Sequence, residues 1–474
     1  MSRLPLIRSL FVFVLIAMPV SVLAKDKADM IVYGDYVLSM EKDVGVLRDG
    51  AVAIKDGAIL AVGPRAKINA QYKATKKISG HNKVLMPGLI NGHTHAAMVL
   101  FRGMADDMTL IDWLQNYIFP MEGKFVDEDF VRAGAALACW EMVRGGTTTI
   151  VDMYFYPRVA AKVYETCGIR AILGAPMIDY PSPGFKGWDD SFAAGKDFVA
   201  NFKDPSGKLI PAFAPHGAYT VSPAHLKAVL AAAKATNAPL MMHVAESPSE
   251  MAVMKERYHN TSVRHIAGLG MLDYPLIAAH MVWPDDDEID MMAISGKTGP
   301  IHNPTSNMKT AAGFSPVPKM IANGINVGLG TDGAASNNDL DMWEEIRLAA
   351  LIHKGKSGDA TVIPADTALA MATRMGAAAI GLGDVTGTLS PDKRADMIQL
   401  TLTSPRMEPL YDVESHLVYV AGSRDVVMTM VDGQVLMQNA KVRTLNAKTV
   451  IHNAEVQANK IRAALAAGET PAKN

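Results

Sequence analysis

Cysteine is nearly absent: the 474 residues contain two, Cys139 and Cys167. That count excludes a disulfide-built scaffold and a zinc site made of thiolates. A chain this long needs no covalent staple, so two buried thiols on different helices of the large domain are the expectation and a bridge the alternative. Charge of one sign is also missing. A net charge of −2 leaves no electrostatic footprint for nucleic acid or an anionic membrane surface. Long apolar runs are lacking too: the longest, Leu10 to Ala24, falls short of the ~20 residues a membrane-spanning helix needs. No low-complexity linker and no internal repeat interrupt the chain. What remains is an ordinary globular composition, 49% hydrophobic and 20% charged, enough for one large core and a smaller one.

The apolar run near the N-terminus has the features of an export signal. Arg3 and Arg8 precede it, and Val22-Leu-Ala24 offers small residues for cleavage. The expectation is a signal peptide over 1–24 and a mature, exported and periplasmic chain beginning near Lys25, with no membrane attachment after cleavage. An oligomer of identical chains is compatible with the sequence.

Two kinds of pattern follow. From Met30 to Pro64, short β-rich runs are broken by turns, with Asp56-Gly57 as a hairpin signal that needs positive φ. The same grammar returns at Asp396 to Leu400, Leu417 to Val420 and Val426 to Met437, with Asp432-Gly433 as its turn. The segments 25–84 and 385–445 therefore predict one small β-sandwich domain assembled from both ends. A helix and tail follow over 446–474, with 468–474 expected to fray.

Between them, 85–384 alternates strand-like and helical stretches. Eight runs are visible: Val84–Ile90, Thr148–Asp152, Ala171–Asp179, Leu209–Ala214, Leu240–Val244, Ile277–His280, Thr298–His302 and Val327–Gly330. This is the rhythm of a (β/α)8 barrel of the TIM type; an open doubly wound sheet is the rival. The ends of the runs favour closure. His93 and His95 follow the first run, and Asp152, Asp179, His216, His243, His280, His302 and Asp332 end or follow others. A barrel brings all strand ends to one mouth, whereas in an open sheet the first and eighth lie far apart.

His93 and His95 in Pro87-Gly-Leu-Ile-Asn-Gly-His-Thr-His95, His243 in Met242-His-Val-Ala-Glu246 and Asp332 in Gly330-Thr-Asp-Gly333 form a nitrogen and oxygen donor set suited to one catalytic divalent ion. Zinc is the leading candidate, with iron and manganese compatible with the same ligands. Such an ion lowers the pKa of water toward ~7, making hydroxide available at neutral pH. Glu246 lies three residues past His243 and can move protons without ligating the metal. Asp332 can accept the proton of the water, and His280 can hydrogen-bond the attacking oxygen.

This combination resembles the amidohydrolase superfamily from about Met30 to Gly433. Within it, Leu100-Phe-Arg-Gly-Met-Ala-Asp-Asp107, Pro120-Met-Glu122, Gly145-Gly-Thr-Thr148, His302-Asn-Pro-Thr-Ser-Asn-Met-Lys309 and Gly328 to Asn338 look like the methylthioadenosine/S-adenosylhomocysteine deaminase branch. Triazine hydrolases and guanine deaminases are its relatives. The resemblance implies hydrolytic deamination of an adenine nucleoside to the inosine analogue and ammonia. It implies that Glu122 holds the ribose hydroxyls, that Trp113 packs on the substrate and that His216 meets the purine. His302 belongs to the motif, with a structural role as the alternative. One departure concerns substrate range. Members that accept S-adenosylhomocysteine can carry an arginine late in the third strand; here that stretch reads Leu173-Gly-Ala-Pro-Met177. Weight shifts to adenosine, 5′-deoxyadenosine and methylthioadenosine, with S-adenosylhomocysteine a further candidate. Guanine, pterin or triazine rings are the alternative substrates, and a non-catalytic binding protein is a third reading. His81, His225, His259, His265, His353, His416 and His452 match no motif and are expected to be surface or packing residues.

Overall fold

The computed structural model describes residues 25–467. The signal peptide expected over 1–24 and the fraying expected over 468–474 lie outside the described residues. Five strands open the described chain: β1 (Asp26–Val37), β2 (Leu47–Lys55), β3 (Ala58–Pro64), β4 (Tyr72–Ile78) and β5 (Lys83–Pro87). The β2–β3 hairpin turns at Asp56 and Gly57, whose φ angles of 51° and 73° are both left-handed, as its two-residue turn requires. Alternation along β1 divides its side chains between two faces. Ile31 and Tyr33 pack with Ile68 of the short helix Arg65–Gln71, while Met30 and Val32 enter a different core.

The middle of the chain contributes β6 (Leu89–Thr94), β7 (Thr147–Met153), β8 (Arg170–Gly174), β9 (Pro176–Met177), β10 (Leu209–Pro211), β11 (Ala214–Pro215), β12 (Leu240–Val244), β13 (Leu276–His280), β14 (Thr298–His302) and β15 (Gly328–Leu329). All pair in parallel. The third run divides into β8 and β9, and the fourth into β10 and β11. Backbone hydrogen bonds carry the ring past the breaks. Ala212 N donates to Leu173 O at 2.9 Å, and Met241 N donates to Phe213 O at 3.0 Å. Asp332 N donates to His93 O at 3.0 Å, joining the eighth run to the first. The ring is closed. Ile90, Val151, Ile172, Met241, Ile277 and Ile301 fill its interior, a packed core rather than a pore.

The last strands, β16 (Met397–Thr401), β17 (Val426–Val431), β18 (Gln434–Gln438) and β19 (Lys441–Val442), return to the first five. The order is β19-β18-β17-β16-β5-β1-β2-β3, with β4 on β1. This single sheet folds over itself, so that Met30, Val32, Val52 and Leu85 face Met397, Met428 and Met430. The composite sandwich is thus continuous.

Two expected elements differ. The run Val84–Ile90 is not one strand: it divides at Gly88, with β5 in the folded-over sheet and β6 in the barrel. A side chain at Gly88 would come within 2.1 Å of Thr148, so only glycine lets the backbone change sheets there. Leu417–Val420, expected as β, instead lies on the helix Val413–Tyr419 and just past its end. Asp412 caps that helix by accepting from Ser415 N at 2.8 Å, and Val413 and Leu417 are both buried.

The cysteines correct a third expectation. Cys139 on the helix Glu128–Gly145 and Cys167 ending the helix Pro157–Cys167 form a disulfide, with Cα atoms 6.6 Å apart. These helices flank β7 in sequence and pack against each other. Count and chain length gave no hint of that proximity. A buried ion pair ties the two cores together: Arg170 Nε donates to Asp396 Oδ2 at 2.9 Å. No helix among the described residues is long and apolar enough to cross a membrane.

Candidate metal centre

Four side chains converge where β6, β12 and the turn after β15 meet. His95 Nε2 lies 3.2 Å from His243 Nε2. Asp332 Oδ1 lies 3.4 Å from His93 Nε2 and 3.3 Å from His95 Nε2. All are buried or nearly so. The partners behind each ring decide what it offers. His95 Nδ1 faces Met153 O at 2.5 Å, and His243 Nδ1 faces His216 O at 2.7 Å. A carbonyl only accepts, so both Nδ1 atoms carry the proton and both Nε2 atoms are bare. Two bare nitrogens 3.2 Å apart repel unless a cation lies between them. The buried His93 Nε2 has no hydrogen-bond partner. Three imidazole nitrogens and one carboxylate oxygen at one point fit a divalent ion.

Asp332 is oriented by residues the sequence reading missed. Ser306 and Ser336 donate to its Oδ2 at 2.7 and 2.9 Å, and Gly333 N donates to Oδ1 at 2.8 Å. Burial alone would raise this carboxyl, but His93, 3.4 Å away, and the other histidines around it hold it well below the usual carboxylate range. Ser306 sits in the His302-to-Lys309 motif, yet nothing in sequence links it to position 332.

Glu246 faces the same space without joining the donor cluster. Glu250 fixes the turn that carries it, accepting from Ala245 N at 3.0 Å and Glu246 N at 2.7 Å. Ala245 itself is left-handed, with φ 52°, which turns the chain back over the mouth. Burial, then the Asp332 and Glu250 charges, push the Glu246 carboxyl well above its ordinary value, which favours its protonated form. His280 Nε2 lies 3.7 Å from Glu246 Oε1. Burial lowers His280 and His216 to about 3; both are neutral.

These groups floor a cavity of about 440 Å³ that is also lined by Trp113, Glu122 and His216. Its upper wall is apolar, from Leu110, Leu114, Phe119 and Phe155. Burial raises Glu122 to about 7, against a weaker opposing pull from the Tyr154 hydroxyl. Tyr154 was not singled out in the sequence because nothing distinguishes it from a core aromatic. His216 Nδ1 lies 3.0 Å from Thr220 Oγ1. A second cavity, about 480 Å³, is lined by Asn237, Lys297 and Gly381 among others and carries no histidine or carboxylate.

His302 does not enter the site. Ile301 points into the barrel core, so alternation turns His302 outward, where its ring centroid lies 5.2 Å from that of His353. His353 is buried as a packing residue. His225 pairs with Asp179 at 2.7 Å.

The closed barrel and its donor cluster define a metal-centred hydrolase with its site at the strand ends. Comparison with known proteins makes this specific: the chain belongs to the amidohydrolase family, whose model matches residues 84–436. It is a hydrolase acting on C–N bonds. Its sequence is 43% identical over 435 residues to a 5′-deoxyadenosine deaminase of Methanosarcina mazei, covering 92% of this chain and 98% of that one. It is 39% identical over 441 residues to a 5-methylthioadenosine/S-adenosylhomocysteine deaminase of Syntrophobacter fumaroxidans, covering 93% and 100%. The fold superposes with a TM-score of 0.90 on an adenosine deaminase from Xanthomonas campestris with bound zinc, at 36% identity over 93% of this chain and all of that one.

Proposed function

We propose that this chain is a zinc-dependent deaminase of adenine nucleosides, exported from the cytoplasm. The observation that carries the activity is a buried Glu246 facing the four-donor cluster at the floor of a cavity whose wall holds Glu122. A divalent ion on His93, His95, His243 and Asp332 supplies Lewis acidity, so that water is a nucleophile at neutral pH.

The chain's own residues do the rest. The apolar wall and Trp113 bury the base, and Glu122, once ionised, accepts from the ribose hydroxyls. Glu246 gives its proton to N1 as oxygen adds to C6, and the resulting centre is tetrahedral. Asp332 takes the proton from the attacking water. The C6–N bond then breaks: the amino group takes the proton held by Asp332 and leaves as ammonia, while the hydroxyl at C6 gives its proton to Glu246, restoring both carboxyls as C6 becomes a carbonyl. His280 stands where it can donate to the oxygen at C6.

Adenosine, 5′-deoxyadenosine and methylthioadenosine fit an apolar wall best. The third strand has no arginine at its C-terminal end for a carboxylate tail, since its one arginine, Arg170, is paired with Asp396, but Arg257 reaches the cavity wall and donates to Tyr219 O at 3.0 Å. A screen of metal-replete protein therefore includes S-adenosylhomocysteine, guanine and a triazine beside the adenine nucleosides, read as absorbance change and ammonia release. Protein inert toward every adenine nucleoside sinks the reading.

Export is supported by Arg3, Arg8 and the apolar run to Ala24, and by a disulfide that suits an oxidising compartment. N-terminal sequencing of the periplasmic fraction should start near Lys25; full-length protein confined to the cytosol refutes it. Metal analysis of protein as isolated tests for zinc.

A further inference from the structure

His280 ends β13 with a left-handed φ of 75°, and its two ring nitrogens face different surroundings. Nε2 lies 3.7 Å from Glu246 Oε1 on the cavity side. Nδ1 faces the protein interior, where the amide nitrogens of Asn303 and Asn307 approach it at 3.2 and 3.0 Å. Both asparagines are buried. They sit four residues apart, with Asn307 N donating to Asn303 O at 3.0 Å, a spacing that aligns their side chains on one helix face. A side-chain amide nitrogen only donates, so a ring nitrogen approached by two of them offers a lone pair. In a neutral imidazole the proton then sits on the other nitrogen.

We propose that Asn303 and Asn307 are positioning residues that hold His280 as its Nε2–H tautomer, making it a hydrogen-bond donor to the attacking oxygen rather than a further metal ligand. The distinction has chemical weight because His280 lies within ligand range. With His93 and Asp332 it forms a second group of donor atoms within 4.8 Å of one another. An Nε2 that carries a proton has no lone pair for a metal. The site thus sorts one residue type into two roles by what stands behind each ring. Carbonyls behind His95 and His243 leave their Nε2 atoms bare, and amide nitrogens behind His280 leave its Nε2 protonated. Amide oxygens turned toward Nδ1 would reverse the last assignment, and the two arrangements give different spectra.

The decisive measurement is a two-bond proton–nitrogen correlation spectrum of zinc-loaded protein carrying isotope-labelled histidine, with His280 assigned by its loss in His280→Gln. The expected pattern is that of a protonated Nε2; a protonated Nδ1 overturns the proposal. The matching variant is Asn307→Asp, whose carboxylate accepts a proton from Nδ1 and so leaves Nε2 bare. It should lower kcat about 10–100-fold, the usual effect of an outer-shell partner. KM should stay within about twofold, because the contact is made only in the transition state. Zinc content should not change. A fall in zinc content with kcat and KM moving together marks a merely structural role and refutes the assignment. The catalytic half rests on the deaminase reading, whereas the tautomer does not. A protonated Nε2 in protein that turns over no adenine nucleoside upholds the tautomer and refutes the reaction.

Discussion

Glu122 makes a quantitative prediction in which function and stability pull in opposite directions. Its carboxyl is buried and raised from 4.5 to about 7. On the proposed function ribose hydroxyls would donate to the ionised form, so affinity should be full above that value and lost as the pH falls through it. A free-enzyme group titrating near 7 makes kcat/KM for adenosine fall about tenfold between about pH 8 and about pH 6. Each hydroxyl bond to a charged carboxylate is worth about 1.5–3 kcal/mol, so Glu122→Gln should lower kcat/KM about ten- to a hundredfold at high pH. The variant should also remove this acid limb. A 2′,3′-dideoxynucleoside lacks both hydroxyls and should be indifferent to the change. The folding side has the opposite sign. The folded state binds this proton more tightly than the unfolded chain, so its contribution is favourable below 4.5 and lost as the pH rises through about 7. The full shift corresponds to about 3 kcal/mol. Glu122→Gln should therefore stabilise the protein by up to that amount near pH 8 and not at all near pH 4, measured by denaturant unfolding. Equal losses on adenosine and the dideoxy substrate, or an unchanged acid limb in the variant, would refute the assignment of Glu122 to the ribose.

Three further outcomes are expected. Glu246→Gln should reduce kcat by about 10²–10⁴ with metal content intact, because this carboxyl stands outside the donor cluster; loss of metal by mass spectrometry would make it a ligand. Chelation should abolish turnover and lower the melting temperature, since a bound ion stabilises the folded state by mass action and its removal leaves bare nitrogens facing each other; unchanged melting argues against an ion held by those four residues. Arg170→Met should cost about 3–5 kcal/mol by stranding the buried Asp396 charge; a loss under about 1 kcal/mol would show that water reaches that carboxylate.

How much of this was legible in the sequence follows from the range of the forces involved. The strand runs, the Asp56-Gly57 and Asp432-Gly433 turns and the His-x-His pair are set by local backbone geometry and by period-two burial, and the chain displays them directly. The donor set could be read because each ligand closes an apolar run, and a closed barrel sends run ends to one mouth. Four matters needed the tertiary structure. Gly88 divides what reads as one strand because Thr148, distant in sequence, occupies the space a side chain would fill. The cysteines meet because two helices pack side by side. His302 faces away from a site its motif suggests it joins, since alternation from the core residue Ile301 turns it outward. Finally, the protonation of each ring and carboxyl depends on what lies behind it: carbonyls behind His95 and His243, asparagine amides behind His280, and enclosure around Glu246 and Glu122. Residue identity determined which groups could do this chemistry. Burial and hydrogen-bond partners, which only the folded chain brings together, decided which of them hold a proton.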